Sequence, residues 1–196
     1  MIPILILAAG QSSRMRGADK MLEDVRGEPL LRRQVKMALE TGAPVYVALP
    51  AQSDLRQAAI ADLDATILTV ADAHEGLSST LRGAVARLPA AGAFMVILAD
   101  LVMLESADIL DLLAAREAFP DAIIWRGATS DGIPGHPVIF DKSLLPEFEF
   151  LTGDEGAASI IKAYEKDTYH FKFNDNRAVF DLDTPEDWAA WRSTSR

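Results

Sequence analysis

Short uninterrupted apolar runs alternate along this chain with longer segments whose apolar positions recur every three to four residues. Residues 2–7, 45–49, 66–70 and 93–98 are such runs, rich in Ile, Val and Leu, and they read as buried strands. Between them the helical period takes over. Residues 29–41 place Leu30, Leu31, Val35 and Ala38 on one face and stop at Gly42, a C-terminal cap. Ser53 opens a helix to about residue 63, and a turn over 72–76 leads into a helix over 78–88. The second half is less regular. Ser106 is the expected N-cap of a helix over 107–117, residues 122–125 read as a strand, and a glycine- and proline-rich loop over 127–137 precedes a strand at 138–140. Thr152-Gly153-Asp154-Glu155 leads into a helix ending near residue 164, with carboxylates at its positive end. Strands over 168–173 and 178–182 are joined by the Asn174-Asp175-Asn176 turn, and Thr184-Pro185 opens the last helix as N-cap and first residue.

Apolar strands separated by helices predict an α/β fold, a three-layer, doubly wound, mostly parallel sheet. Right-handed crossovers then bring the loops at 8–20 and 99–102 to one carboxyl edge, where such sheets bind ligands. No repeat, low-complexity segment or linker interrupts the 196 residues, so one domain over 1–196 is expected. A hydrophobic fraction of 49% with 24% charged residues is that of a globular protein. The net charge of -10 argues against nucleic acid or an anionic membrane as partner. Without cysteine, disulfides, thiolate metal sites and thiol nucleophiles are excluded, and a reducing compartment, the cytoplasm, is expected. The opening residues lack the basic start of a signal peptide, and no apolar run approaches the roughly 20 residues of a transmembrane helix.

Charge is distributed unevenly, and this changes the picture. Residues 14–36 hold seven Lys/Arg against four acids. Arg26, Arg32, Arg33 and Lys36 suit a solvated helix face. Arg14 and Lys20 instead flank Leu7-Ala8-Ala9-Gly10-Gln11-Ser12-Ser13, where a strand empties into a loop of small residues and hydroxyls. Such a loop lets backbone approach an anion and sets two cations beside it, so a nucleoside triphosphate is the expected ligand. Asp100 follows the most apolar strand, and Asp181-Leu182-Asp183 closes a late one. Carboxylates at strand ends suit a hard divalent ion such as Mg2+, although either group also suits a turn or helix start. His74, His136 and His170 have no metal-ligand spacing. The chain lacks the G-x-S-x-G elbow, the G-K-[ST] end of a Walker loop and the dinucleotide G-x-G-x-x-G, which removes support for hydrolases, P-loop ATPases and ordinary dehydrogenases.

Residues 7–20 resemble the L-A-A-G-x-S-x-R-M-G-x-x-K signature of the MobA-like nucleotidyltransferases. Ile97-Leu98-Ala99-Asp100 resembles that family's L-A-D metal motif, residues 132–137 its G-x-P-G-H-P loop, residues 153–157 its G-D-x-G-A segment and residues 181–187 its D-x-D-T-P-E-D ending. The likeness spans nearly the whole chain and is nearest the molybdenum cofactor cytidylyltransferases, because the guanylyl branch tends to carry Ala-Gly-Gly where Ala8-Ala9-Gly10 stands here.

The resemblance implies a nucleotide-diphospho-sugar transferase-like fold and transfer of CMP from CTP to the phosphate of the molybdopterin-molybdenum cofactor, releasing pyrophosphate. Arg14, Lys20 and Asp100 would be catalytic. Leu7, Ala8, Ala9, Gly10, Ser12, Ser13, Arg14 and Lys20, with Gly76, Ser78 and Ser79, would hold the nucleotide. Asp100 with Asp183 or Asp181 would bind Mg2+, and Gly135, His136, Pro137 and Asp154 would meet the acceptor. An apo-molybdoenzyme or its chaperone would be a transient partner. Three positions depart from the pattern: Arg16 is inserted between Met15 and Gly17, Val102 replaces a proline, and Ala158 stands where an arginine is common. Loss of the proline would loosen the backbone beside Asp100, and loss of the arginine would weaken an anion contact. GTP, another phosphorylated acceptor such as a sugar phosphate, and a non-catalytic cofactor-delivery chaperone stay open as alternatives.

Overall fold

The computed structural model describes residues 1–194. In chain order its elements are β1 (Ile4–Leu7), β2 (Asp24–Val25), β3 (Glu28–Pro29), α1 (Leu30–Leu39), β4 (Val45–Pro50), α2 (Asp54–Ile60), β5 (Ala65–Val70), α3 (Leu77–Val85) and β6 (Ala93–Leu98). There follow α4 (Ser106–Ala118), β7 (Ile124–Ala128), β8 (Pro134–Asp141), α5 (Leu145–Phe148), α6 (Ala158–Ala163), β9 (Thr168–Lys172) and α7 (Pro185–Thr194). Seven strands form one sheet in the order β5-β4-β1-β6-β8-β7-β9. All pairings are parallel except those of β8, which runs against both β6 and β7. The mostly parallel, doubly wound expectation holds, with one strand reversed.

Alternation along the strands builds the three layers. Ile4, Ile6, Val45, Val47, Met95, Ile97 and Ile139 face one side and pack with Leu31 and Val35 of α1, Ile109 and Leu112 of α4 and Trp188 of α7. Leu5, Leu7, Val96, Val138 and Phe140 face the other, against Leu81 and Ala84 of α3, Phe148 of α5 and Ile160 and Ile161 of α6. No described helix is long and apolar enough to cross a membrane.

The reversal of β8 matters for the site. Val96 pairs with Val138, so the start of β8, with His136, lies at the same edge as the end of β6 and the residue Asp100 beyond it. The segment expected as a loop over 127–137 is therefore mostly strand. Only a tight turn separates β7 from β8, closed by Thr129 N–H to the Ile133 carbonyl (2.9 Å) and by Ile133 N–H to Thr129 Oγ1 (2.9 Å).

Other expectations need correction. Residues 178–182 are not a strand: instead of pairing along the edge of β9, the segment lies across the start of β8, where the Ala178 carbonyl accepts from His136 N–H (2.8 Å). Helix α4 starts one residue early, capped at Glu105, whose N–H donates to the Asp108 carboxylate (2.9 Å). Ser53 precedes α2 without capping it through its side chain, and its hydroxyl donates to the Pro50 carbonyl (2.8 Å). A short antiparallel hairpin, β2–β3, adds to the elements that the sequence pattern marks. Its Arg26-Gly27 turn takes φ of 56° and 91°, the left-handed pair that such hairpins require.

Candidate active site

The edge formed by the ends of β1 and β6 carries the loop over 8–20. Backbone pairing continues past the strands, with Ala8 N–H on the Ala48 carbonyl (3.0 Å) and Ala99 N–H on the Leu7 carbonyl (3.1 Å), which fixes both loops at their roots. Beyond them the chain winds through a 3-10 turn over Ser13–Met15, with Met15 buried as its anchor. Ser12 Oγ accepts from Lys20 N–H (3.2 Å) and reaches Asp19 (3.4 Å), so this hydroxyl closes the loop on itself. The inserted Arg16 is absorbed at φ 53° and pairs with Glu186 of α7 (2.7 Å).

Arg56 is the residue that the sequence did not reveal. From α2 its buried guanidinium donates to the Ala8 carbonyl (2.6 Å) and the Gly10 carbonyl (2.9 Å) and holds Asp19 through two further bonds of 2.7 and 2.8 Å. Drawing these carbonyls to one side fixes the orientation of the peptide groups of the loop. The available signal was slight: Arg56 sits four residues before Ile60, on the buried stripe of a short helix.

Lys20 Nζ donates to Asp100 (2.6 Å) and Asp183 (2.8 Å), and Arg14 pairs with the other oxygen of Asp183. Burial works to lower the Lys20 pKa, and the Asp100 and Asp183 carboxylates outweigh it, so the net direction is up. Oxygens of Asp100, Asp181 and Asp183 lie within 4.8 Å of one another. Burial, then the neighbouring Asp183 and Asp100 charges, push the Asp181 pKa up. Asp100 Oδ1 is buried and has no hydrogen-bond partner. An all-oxygen cluster with one orphaned, buried carboxylate oxygen fits a hard divalent cation.

Two further contacts hold this cluster in place. Arg177 bridges Asp108 of α4 (2.8 and 2.9 Å) and Asp175 (2.8 Å), and Trp188 Nε1 donates to the Leu182 carbonyl (3.2 Å), which together tie down the segment carrying Asp181 and Asp183. On the other side, Gln34 donates to the Leu101 carbonyl (3.1 Å) and Arg33 to those of Val102 (3.1 Å) and Leu104 (3.3 Å). The backbone beside Asp100, expected to loosen without a proline at 102, is instead gripped from α1.

A cavity of 540 Å³ lies over this edge, lined by Leu7, Ala8, Ala9, Gly10, Ser13, Lys20, Asp100, Gly76, Thr80 and Asp154 among others. A wider cleft of 790 Å³ continues from it past Gly10 and His74 toward Ser53 and Arg56. Gly76 has a φ of 115°, which favours glycine, and a Cβ there would lie 1.8 Å from Asp154 Oδ1, so the Asp154 carboxylate sits directly against it. Asp154 thus stands at this cavity. Ser78 and Ser79 are buried away from its wall: Ser78 Oγ donates to the Gly156 carbonyl (3.4 Å), and Ser79 Oγ lies 3.5 Å from Glu75. Their positions follow from the helical turn, which presents Leu77 and Thr80 instead. Of Gly135, His136 and Pro137, only His136 lines a hollow. Pro137 is buried on the opposite side of β8, and Gly135 packs on residue 178, where a Cβ would fall 2.0 Å from the Ala178 carbonyl.

Comparison with known proteins follows the same outline. Bifunctional protein GlmU of Leifsonia xyli subsp. xyli is 30% identical over 122 residues, covering 60% of this chain. The chain spans about a quarter of the length of the curated relatives it matches. The crystal structure of Rv0371c from Mycobacterium tuberculosis superposes with a TM-score of 0.84 at 25% identity over 96% of this chain and 95% of that one, and a second crystal structure of Rv0371c is a complex with manganese. CMP:2-keto-3-deoxy-manno-octonic acid synthetase complexed with CTP shares the fold, with a TM-score of 0.77 at 16% identity over 100% of this chain and 98% of that one. The model of the MobA-like NTP transferase domain matches residues 4–168, which run from β1 through the loop, Asp100 and β8 to the start of β9. The chain therefore belongs to the family of MobA-like NTP transferase domains.

Proposed function

We propose that this protein transfers CMP from CTP to the phosphate of the molybdopterin-molybdenum cofactor, as one domain acting in the cytoplasm. The observation that carries the transferase reading is the Lys20–Asp100–Asp183 cluster beneath the small-residue loop. The preference for CTP rests on Ala8-Ala9-Gly10 in place of Ala-Gly-Gly. Attack by an ionised phosphate on the α-phosphorus needs no general base, so positioning and charge neutralisation carry the reaction. Arg56 holds the Ala8 and Gly10 carbonyls, which turns the N–H groups of the same peptide units, those of Ala9 and Gln11, to the opposite side, where they would meet the phosphates. Lys20 and Arg14 exchange part of their pairing with Asp183 for the triphosphate and neutralise the leaving pyrophosphate. Asp100, with Asp181 and Asp183, would hold Mg2+, which supplies further charge neutralisation at the phosphates when bound. The product would pass to an apo-molybdoenzyme.

Calorimetric titration of CTP and GTP with Mg2+, followed by pyrophosphate release with purified molybdopterin cofactor, tests the reading. Turnover with CTP and cofactor is expected. Turnover only with GTP, or none with CTP plus cofactor, removes the cytidylyl assignment.

A further inference from the structure

A separate hollow, of 370 Å³, lies where the β2–β3 hairpin meets α1 and the start of α4, and it shares no lining residue with the nucleotide cavity. Its volume suits a small ligand. Arg26 and Arg33 line it, and they stand apart from the other cations of residues 14–36. Arg14, Arg16, Lys20, Arg32 and Lys36 each pair with a carboxylate. Among the described residues Arg26 and Arg33 pair with none, in a chain that carries 29 acids against 19 Lys/Arg, so a shortage of carboxylates is not the reason.

Arg33 is half-buried, and its Nη1 donates to the carbonyls of Val102 (3.1 Å) and Leu104 (3.3 Å). Its Nε and Nη2 donate to no protein group among the described residues. Burial, then the Arg26 charge, pushes the Arg33 pKa down, as expected of two like charges at one hollow. The acids there are differently engaged. Glu28 is taken up by Lys36 (2.7 Å) and Arg32 (3.8 Å), and the Glu105 carboxylate accepts from the first turn of α4. Glu40 is exposed and has no partner among the described residues.

We propose that this hollow is a second anion site, which holds a phosphate group, free or carried by a small molecule, between Arg33 and Arg26. It goes beyond nucleotidyl transfer and does not depend on it. The carbonyls of Val102 and Leu104 fix one edge of the Arg33 fork before any ligand arrives, so little freedom is lost on binding. Its remaining Nε and Nη2 match two oxygens of a phosphate. Arg26, across the hollow on the hairpin, adds the second positive charge, and the anion removes the repulsion between the two guanidiniums. Glu40 opposes the ligand.

The probes are inorganic phosphate and glycerol 2-phosphate, each titrated at constant ionic strength into the full chain, with backbone hydrogen exchange followed by mass spectrometry. Exchange over residues 24–36 is expected to slow with a saturable dependence on phosphate, which yields the affinity of the hollow. Arg26→Asn should weaken it about fivefold and leave the fold intact, because Asn-Gly is the favoured pair for the left-handed turn at residues 26 and 27. Arg33→Lys keeps the charge, loses the fork and should weaken it about tenfold. Glu40→Gln should tighten it about twofold, a gain that a purely structural role for these residues would not produce. Tighter binding of glycerol 2-phosphate assigns the site to a phosphate monoester, and equal or tighter binding of inorganic phosphate assigns it to the free ion. No slowing at 24–36, slowing confined to the loop over 8–20, or equal affinity in wild type, Arg26→Asn and Arg33→Lys overturns the proposal. The titration contains no nucleotide, so its outcome is independent of whether CTP binds.

Discussion

Arg56→Met tests whether the loop over 8–20 is held from α2. The substitution keeps most of the side chain's volume and removes all four donated bonds, two to Asp19 and two to the Ala8 and Gly10 carbonyls. Summing charge-assisted bonds at about 1.5–3 kcal/mol each would overcount, because the four act as a unit. The better guide is removal of one partner of a buried ion pair, about 3–5 kcal/mol. The Arg56 side chain is 7% exposed but that of Asp19 is 30% exposed. Water can therefore reach the stranded carboxylate, and the lower end, about 3 kcal/mol, is expected. In urea, with a slope of about 3 kcal/mol/M, the unfolding midpoint should fall by about 1 M. Freed of Arg56, the amides near Gly10 lose their orientation, and CTP affinity should drop about tenfold, or ~1.4 kcal/mol. Adding Asp19→Asn should recover part of the stability, because the stranded charge is gone, and little of the affinity, because the carbonyls are still unheld. A midpoint shift below about 0.3 M together with unchanged CTP affinity would refute the role assigned to Arg56.

Four further outcomes are expected. Asp100→Asn should cut turnover by at least about 10³-fold while the protein stays folded by circular dichroism, and undiminished turnover would exclude Asp100 from the chemistry. Lys20→Gln removes the cation shared by Asp100 and Asp183, so nucleotide-free protein should bind Mn2+ about tenfold more tightly by paramagnetic resonance titration while turnover falls, and weaker binding would show that Lys20 does not compete with metal. Arg177→Met strands Asp108, whose side chain is 7% exposed, and should cost about 3–5 kcal/mol in urea unfolding and weaken Mn2+ binding; restoration of stability by a second Asp108→Asn change identifies the stranded charge as the cause. His136 is held at about 4, below its ordinary 6.5, so between those values the unfolded chain binds the proton and the folded one does not. Stability should therefore fall as pH drops through that window, and His136→Gln should flatten the slope there; an unchanged slope would refute the assignment.

The departures at residues 16 and 102 show how tertiary contacts resolve local irregularities. An extra residue in a ligand loop is tolerated because Arg16 takes a left-handed turn and pairs across to Glu186, while Arg192 from the far end of α7 reaches Glu23 (2.6 Å). Val102, in the loop after β6, forgoes the stiffness of proline, and the Arg33 and Gln34 side chains supply it from α1. Neither arrangement could be read locally, because the partners lie tens of residues away.

Most strands, most helices and the sheet edge that carries the candidate site were legible in the order of residues, since periods of 2 and 3.6 report which face of an element is buried. Leu7 to Lys20 and Asp100 were legible for the same reason: they immediately follow strands whose direction the crossover rule sets. The sequence could not show that β8 is reversed, because an apolar run such as Val138 to Phe140 reads the same in either direction. That reversal puts His136 at the edge of the candidate site, and strand alternation turns Gly135 and Pro137 to the other face of β8. Nor could it show that residues 178–182 miss the sheet, since pairing depends on which strand edge is left free. Arg56, Arg177 and the grip of Arg33 on the Asp100 loop belong to tertiary structure too: a buried guanidinium is recognised only by the carboxylates and carbonyls that surround it, and these come together only when the chain has folded.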